Sequence, residues 1–122
     1  MFCKKKMKEE TIYFDNIVFD VVYYIGTNAK DNFEVIDKGE PDGYWFHAKD
    51  VSSCHVVCNI PDLVDKKGLR TILKRGAQLC KQNTNKLMAL KDVEIIYTQV
   101  KNVTKTETDG CVITKKEKVL RC

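Results

Sequence analysis

Residues 44–61 read Tyr44-Trp45-Phe46-His47-Ala48-Lys49-Asp50-Val51-Ser52-Ser53-Cys54-His55-Val56-Val57-Cys58-Asn59-Ile60-Pro61. Two apolar runs flank a short polar connection. The first is aromatic and the second β-branched, which suits strands rather than helix. Pro61 lacks the N–H that a strand would need next, so it ends the second run. Strands over 44–48 and 54–60 are therefore expected to form a hairpin-like pair. Apolar density on both sides of Asp50 places Trp45 and Phe46 on a central strand, with His47 and His55 on neighbouring strands.

Working toward the C-terminus, Asp62 and Asp65 resemble a helix entry, and the main helix is expected over 63–83. Its apolar positions are Leu69, Ile72 with Leu73, Gly76 and Cys80, at steps of three or four. The opposite stripe is Lys67, Arg70, Lys74, Gln78 and Lys81. Gly76 lies on the apolar side, where it lets the helix approach a sheet closely at a propensity cost of ~1 kcal/mol. Strands follow near 93–100, 111–114 and 119–121, with turns at Asp109-Gly110 and Lys115-Lys116-Glu117.

Working toward the N-terminus, Glu40-Pro41-Asp42-Gly43 is a turn. Asn28 is placed to cap a helix over 29–38, with Phe33 and Ile36 inward and Gly39 as its stop. Residues 17–25 read as a strand that is apolar on both faces at its end, and residues 11–14 as a short strand before it. Residues 1–10 read as a flexible basic tail. The fold class is α+β: a mostly antiparallel sheet with about two helices packed on it, forming one domain over 11–122.

A chain of 122 residues holds one ordinary domain. Hydrophobic residues at 43% and charged residues at 31% describe a globular chain, not a disordered one. No apolar run reaches the ~18 residues of a membrane span. The lysines of residues 4–6 are followed by no apolar segment, so no secretion signal is read and a reducing, cytoplasmic setting is expected.

The net charge of +4 is unevenly spread. Residues 11–50 carry −5, residues 51–122 carry +7, and residues 66–91 hold eight Lys or Arg and no acid. That bias suits a phosphate-bearing or acidic partner; it also suits a plain solvated face. Lys outnumbers Arg eighteen to three, which favours point-charge contacts to phosphate over bidentate base readout.

Catalytic constellations are weak. His47 and His55 flank Asp50, Ser52 and Ser53, but no Gly-x-Ser-x-Gly elbow supports a hydrolase. Only Asp50 lies near the histidines, too few acids for a metal nuclease. The six cysteines include no Cys-x-x-Cys pair. On a strand, Cys54 and Cys58 share a face ~13 Å apart while His55 points the other way, so they cannot ligate one metal. Buried apolar roles suit most of the cysteines, and neither a disulfide nor a metal site is expected. No Walker or dinucleotide-binding motif is present. Trp45 suits a stacking platform for a base, or a core position.

The order of three segments resembles a known family. They are Gly26-Thr27-Asn28-Ala29-Lys30-Asp31-Asn32, Trp45-Phe46-His47-Ala48 and Ser52-Ser53-Cys54-His55-Val56. Together they resemble the NFACT-R domain, the RNA-binding module of NEMF and of bacterial fibronectin-binding-like proteins of ribosome-associated quality control. The likeness continues through Gly76-Ala77-Gln78-Leu79-Cys80, Ile95-Ile96-Tyr97-Thr98, Val103-Thr104-Lys105 and Gly110-Cys111-Val112, so it covers about residues 12–112. Phe33 and Gly43 depart from the acidic residues usual at those positions. The chain looks like a stand-alone version of the domain. The resemblance implies RNA binding without catalysis, with tRNA or ribosomal RNA as ligand and the large ribosomal subunit as a wider partner.

The expected interface has two parts. Lys67, Arg70, Lys74 and Lys81 on the main helix would hold phosphates. Lys30, Lys49, His47, Ser52, Ser53 and His55 would contribute from the motif loops. Asn28 and Asn32 would order the loop after Gly26, in a binding or purely structural role. No catalytic residue, cofactor, metal or membrane is expected. The rivals are a module that docks on an acidic protein surface and a general polyanion or DNA binder.

Overall fold

The computed structural model describes residues 7–122. Seven strands and two helices follow from the periodicities above, and an eighth strand does not. In chain order they are β1 (Lys8–Phe14), β2 (Phe19–Gly26), α1 (Ala29–Asp37), β3 (Tyr44–Ala48), β4 (His55–Cys58), α2 (Lys66–Gln82), β5 (Glu94–Gln99), β6 (Val103–Lys105), β7 (Val112–Thr114) and β8 (Lys118–Arg121). Six strands form one sheet in the order β1-β2-β4-β3-β5-β8, every pair antiparallel. β6 and β7 form a separate hairpin. This is the expected α+β architecture, with Trp45 and Phe46 on an inner strand and His55 on its neighbour.

Strand alternation divides the core between two faces. Phe46 and Ala48 of β3, Val56 and Cys58 of β4, and Tyr23 and Ile25 of β2 meet Ile72, Leu79 and Cys80 of α2. Trp45 and Val57 turn to the other face and meet Val35 and Ile36 of α1, with Val103 and Val112 of the small hairpin at their margin. The sheet is thus covered by α2 on one side and by α1 with β6–β7 on the other. α1 turns Val35 fully inward, while Phe33 stays half-buried beneath the Lys105 ammonium, 5.3 Å from its ring.

Several boundaries differ from the sequence reading. β1 starts at Lys8, so residues 8–10 belong to the sheet rather than to a tail; residues 1–6 of that expected tail lie outside the described residues. Ile17 and Val18 form the β1–β2 turn, both N–H groups donating to the Phe14 carbonyl. α2 starts at Lys66 rather than 63, because the extended backbone of Asp65 lets its carboxylate accept from the Gly68 N–H at 2.7 Å. β6 is the strand that periodicity does not reveal: three residues, one of them apolar-facing, carry no period to read.

Candidate nucleic-acid interface

β2, β3 and β4 are antiparallel neighbours, so Gly26, Ala48 and His55 come to the same end of the sheet. α1 begins there and α2 ends there. Between these segments lies a cleft of about 760 Å³. Its walls are Thr27–Ala29 with Asn32, His47, the Ser52–His55 segment, Asn83–Lys86, and Asp109–Cys111 at the tip of the small hairpin.

The first motif builds the α1 wall. Asn28 caps the helix: its Oδ1 accepts from the Asp31 N–H at 2.9 Å and its amide donates to the Asp31 carboxylate at 3.0 Å. One turn later, Asn32 Oδ1 accepts from the His55 backbone N–H at 3.2 Å, tying α1 to the start of β4. Gly26 makes that approach possible, since a Cβ there would lie 2.7 Å from Asn32 Oδ1. Opposite, the hairpin tip reaches Ala29 through Gly110, where φ is +80° and a Cβ would lie 2.9 Å from the Ala29 Cα. Only glycine meets both conditions.

The second and third motifs build the floor. Trp45 Nε1–H donates to His55 Nδ1 at 3.1 Å. His47 stacks on Trp45 at 5.6 Å and 5°, and stands edge-on to His55 at 4.9 Å. Ser53 Oγ accepts from the Ala48 N–H and donates to the Cys54 carbonyl, both at 2.9 Å, which fixes the connection between the strands. Trp45 is 2% exposed, so it is core and offers no face to a base.

Both histidines are neutral at pH 7. Burial pulls His55 down to about 3, with the His47 charge adding. Burial also lowers His47, against the Ala48 carbonyl bond and assisted by Lys86. His47 Nδ1 lies 2.6 Å from the Ala48 carbonyl, which can only accept, so the proton is on Nδ1 and Nε2 carries a lone pair. In His55 the lone pair is on Nδ1, and the proton on Nε2. The pair thus offers hydrogen bonds rather than charge.

A histidine with a depressed pKa in the fold contributes stability above its unfolded pKa of about 6.5 and loses it as pH falls toward the folded value. Between pH 7 and 5, His55 alone should remove about 2 kcal/mol of unfolding free energy, with His47 adding in the same direction. Urea titrations at the two pH values should show this loss, and His55→Gln should flatten the pH dependence. Equal stability at both pH values in the parent protein contradicts a buried neutral His55.

The expected site residues separate into two groups. His47, Ser52, Ser53 and His55 line the cleft, with exposed Lys30 in the first turn of α1 beside it. Lys49 is exposed in the β3–β4 connection, outside the cleft lining. Lys81 sits in the last turn of α2. Lys67, Arg70 and Lys74 are exposed along α2, and the 1.5 Å helical rise places Lys67 ~24 Å before Asn83. The helix stripe and the motif loops therefore do not form one compact site. Sequence reasoning misses Lys86 and the polar run Asn83-Thr84-Asn85. Lys86 lines the cleft, and its charge adds to the burial that lowers the His47 pKa. Among the described residues, no group of three His, Cys, Asp or Glu is arranged to hold a metal ion, and no helix is long and apolar enough to cross a membrane.

Relatives place this geometry. The chain is 33% identical over 101 residues to the Coiled-coil domain-containing protein 25 homolog of Dictyostelium discoideum, covering 78% of this chain and 47% of that protein. It is 30% identical over 84 residues to Coiled-coil domain-containing protein 25 of Danio rerio, covering 68% of this chain and 41% of that one. The chain therefore spans less than half the length of these curated relatives. The solved C-terminal part of the fibronectin/fibrinogen-binding protein from Streptococcus suis superposes on 98% of this chain and 46% of its own, with a TM-score of 0.76. At 24% identity that likeness is one of fold. The model of the NFACT protein RNA binding domain matches residues 4–117, which include the α1 cap, the Trp45–His55 floor and the hairpin tip. With that match running through every wall of the cleft, the chain belongs to the NFACT RNA-binding domain family.

Proposed function

We propose that the cleft at the α1 end of the sheet is the RNA-contacting surface, and that the ligand is tRNA or ribosomal RNA. The observation that carries this reading is the convergence of His47, Ser52, Ser53 and His55 with Lys86 at one polar cleft. The neutral His47 imidazole and the Ser52 and Ser53 hydroxyls suit base edges and ribose 2′-hydroxyls, which structured RNA displays, while His55, buried and bonded to Trp45, holds the floor in place. Lys86 in the cleft wall, with Lys30 in the first turn of α1 and Lys81 in the last turn of α2, suits flanking phosphates as point charges. The likeness of the three motifs to the NFACT-R domain supports the finer part: a role in translation and ribosome-associated quality control, at the large ribosomal subunit, in the cytoplasm. The reading contains no catalytic step.

Fluorescence anisotropy with tRNA, single-stranded RNA and duplex DNA tests it. With three or four phosphates neutralised, the slope of log affinity against log salt should be about −2 to −4. Replacing Lys30, Lys81 and Lys86 by Gln should weaken tRNA binding and shrink the slope by roughly 0.7–0.9 per charge removed. Replacing Lys67, Arg70 and Lys74 by Gln should change it less, with an almost unaltered melting temperature in either variant. Loss confined to the second variant moves the surface to the helix stripe. Equal affinity for duplex DNA favours a general polyanion binder, and no salt-dependent binding to any nucleic acid favours docking on an acidic protein.

A further inference from the structure

Cys54 and Cys80 lie face to face behind the cleft. Cys54 Sγ–H donates to the Cys80 carbonyl at 3.2 Å, and Cys80 Sγ–H to the Cys54 carbonyl at 3.5 Å. Each sulfur thus lies against the backbone of the other residue, which brings the two thiols into one buried site. Thr84 closes the arrangement: its hydroxyl accepts from the Cys54 N–H at 3.1 Å and donates to the Cys80 carbonyl at 2.9 Å. All five cysteines among the described residues are free thiols.

We propose that Cys54 and Cys80 form a reversible disulfide when the protein meets a hydroperoxide, with Cys54 as the attacking thiol and Cys80 as its resolving partner. The roles follow from access. Cys54 is buried but forms part of the cleft lining at 5% exposure, whereas Cys80 is fully buried behind it, so Cys54 is the nearer of the two to solvent. Electrostatics agree with the assignment. A bond from the Cys80 thiol to the Cys54 sulfur is the largest of the causes that pull the Cys54 thiol below its ordinary range, against the penalty of burial and with the Lys8 charge helping. The same bond and burial hold Cys80 well above its own. Cys58 and Cys111 are less suited. Burial pushes Cys58 up to about 12, and on β4 it stands ~13 Å from Cys54 along the same face. Cys111 is exposed at the cleft rim as a free thiol.

The chemistry balances with the peroxide as sole oxidant. The Cys54 thiolate attacks one peroxide oxygen, the O–O bond breaks, and the alcohol or water leaves with a proton. Cys54 is now a sulfenic acid. The Cys80 sulfur then attacks the Cys54 sulfur, the S–O bond breaks, and hydroxide leaves as water with the Cys80 proton. Two thiols lose two electrons, and the peroxide gains them. The resulting bond ties the Ser52–His55 wall of the cleft to the end of α2, the element that carries the Asn83–Lys86 wall.

The disulfide is independent of which ligand the cleft binds. The test is titration of the full chain with hydrogen peroxide, followed by thiol alkylation, intact mass and tandem mass spectrometry. The expected product has lost about 2 Da, carries a Cys54–Cys80 link, and returns to the parent mass with dithiothreitol. Cys54→Ser and Cys80→Ser should each abolish that product. A link joining any other pair, such as Cys80 to Cys122, overturns the proposal. So does oxidation confined to Cys111 while Cys54 and Cys80 remain alkylatable. If either variant does not fold, the link assigned in the parent chain decides alone.

Discussion

Trp45→Ala should cost at least about 4 kcal/mol, a large part of the ~6–18 kcal/mol that a domain of this length has in total. The side chain is 2% exposed on an inner strand and fills the space between Val57, Val35 and Ile36. Truncating a buried Trp accounts for about 3–5 kcal/mol through lost transfer energy and the cavity left behind. A second loss adds to it. His55 Nδ1 accepts from Trp45 Nε1, and removing the donor strands a buried acceptor at about 1–3 kcal/mol. Trp45→Phe separates the two contributions, because it keeps most of the ring volume and deletes only the donor. Urea denaturation should therefore rank the parent, Trp45→Phe and Trp45→Ala in falling order. Nuclear magnetic resonance titration adds a site-specific check, since a His55 that has lost its partner and gained water should titrate well above its value of about 3 in the parent. If Trp45→Phe matches the parent in both stability and His55 titration, the indole–imidazole bond has no energetic weight.

That bond also marks where the sequence was legible and where it was not. The strand pair, the antiparallel sheet and the apolar faces of α2 follow from periodicity, because alternation and the 3.6-residue repeat are local. That Asn28 caps α1 is likewise local, since a side-chain oxygen at that position meets its own helix three residues on. The joint use of Asn32, Trp45 and His55 is not local. Those residues are separated by thirteen and ten positions, and they meet only because β2, β4 and β3 lie side by side. The Asn83–Lys86 wall escapes a local reading for a related reason, although topology carries a signal for it. β4 ends at Cys58, and α2 begins after a short connection at Lys66. A helix that packs back along that strand must finish near the strand's start, which is His55. The basic stripe misleads in the opposite sense. Its charges share one helix face, but a seventeen-residue helix is long, and its first turns lie far from the motif loops.

Gly76 sets how closely that helix lies on the sheet, and its replacement is the second large effect. A Cβ at Gly76 would lie 2.4–2.8 Å from three atoms of the Phe46 ring. Phe46 is fully buried on β3, 6.1 Å from the Tyr97 ring, so it has no free space into which to swing. Helix propensity pulls the other way, favouring alanine over glycine by about 1 kcal/mol. Overpacking a filled core costs about 1–3 kcal/mol per added group. Gly76→Ala should thus gain nothing from its better propensity and come out destabilised by up to about 2 kcal/mol. Gly76→Val should lose more than about 3 kcal/mol, since it adds two further methyl groups against the same ring and a β-branched residue to a helix. The double-mutant cycle with Phe46→Leu decides the cause. Phe46→Leu alone opens a void and destabilises, but combined with Gly76→Ala that void accommodates the new methyl group. The two changes should then couple favourably by more than about 0.5 kcal/mol. Additive losses would mean that backbone conformation at Gly76, and not contact with Phe46, limits the substitution. Because α2 carries the Asn83–Lys86 wall, a helix lifted from the sheet by Gly76→Val also shifts Lys86 away from His47. The His47 pKa should then rise toward its ordinary value in any folded fraction, as both the burial and the Lys86 charge that depress it are relaxed.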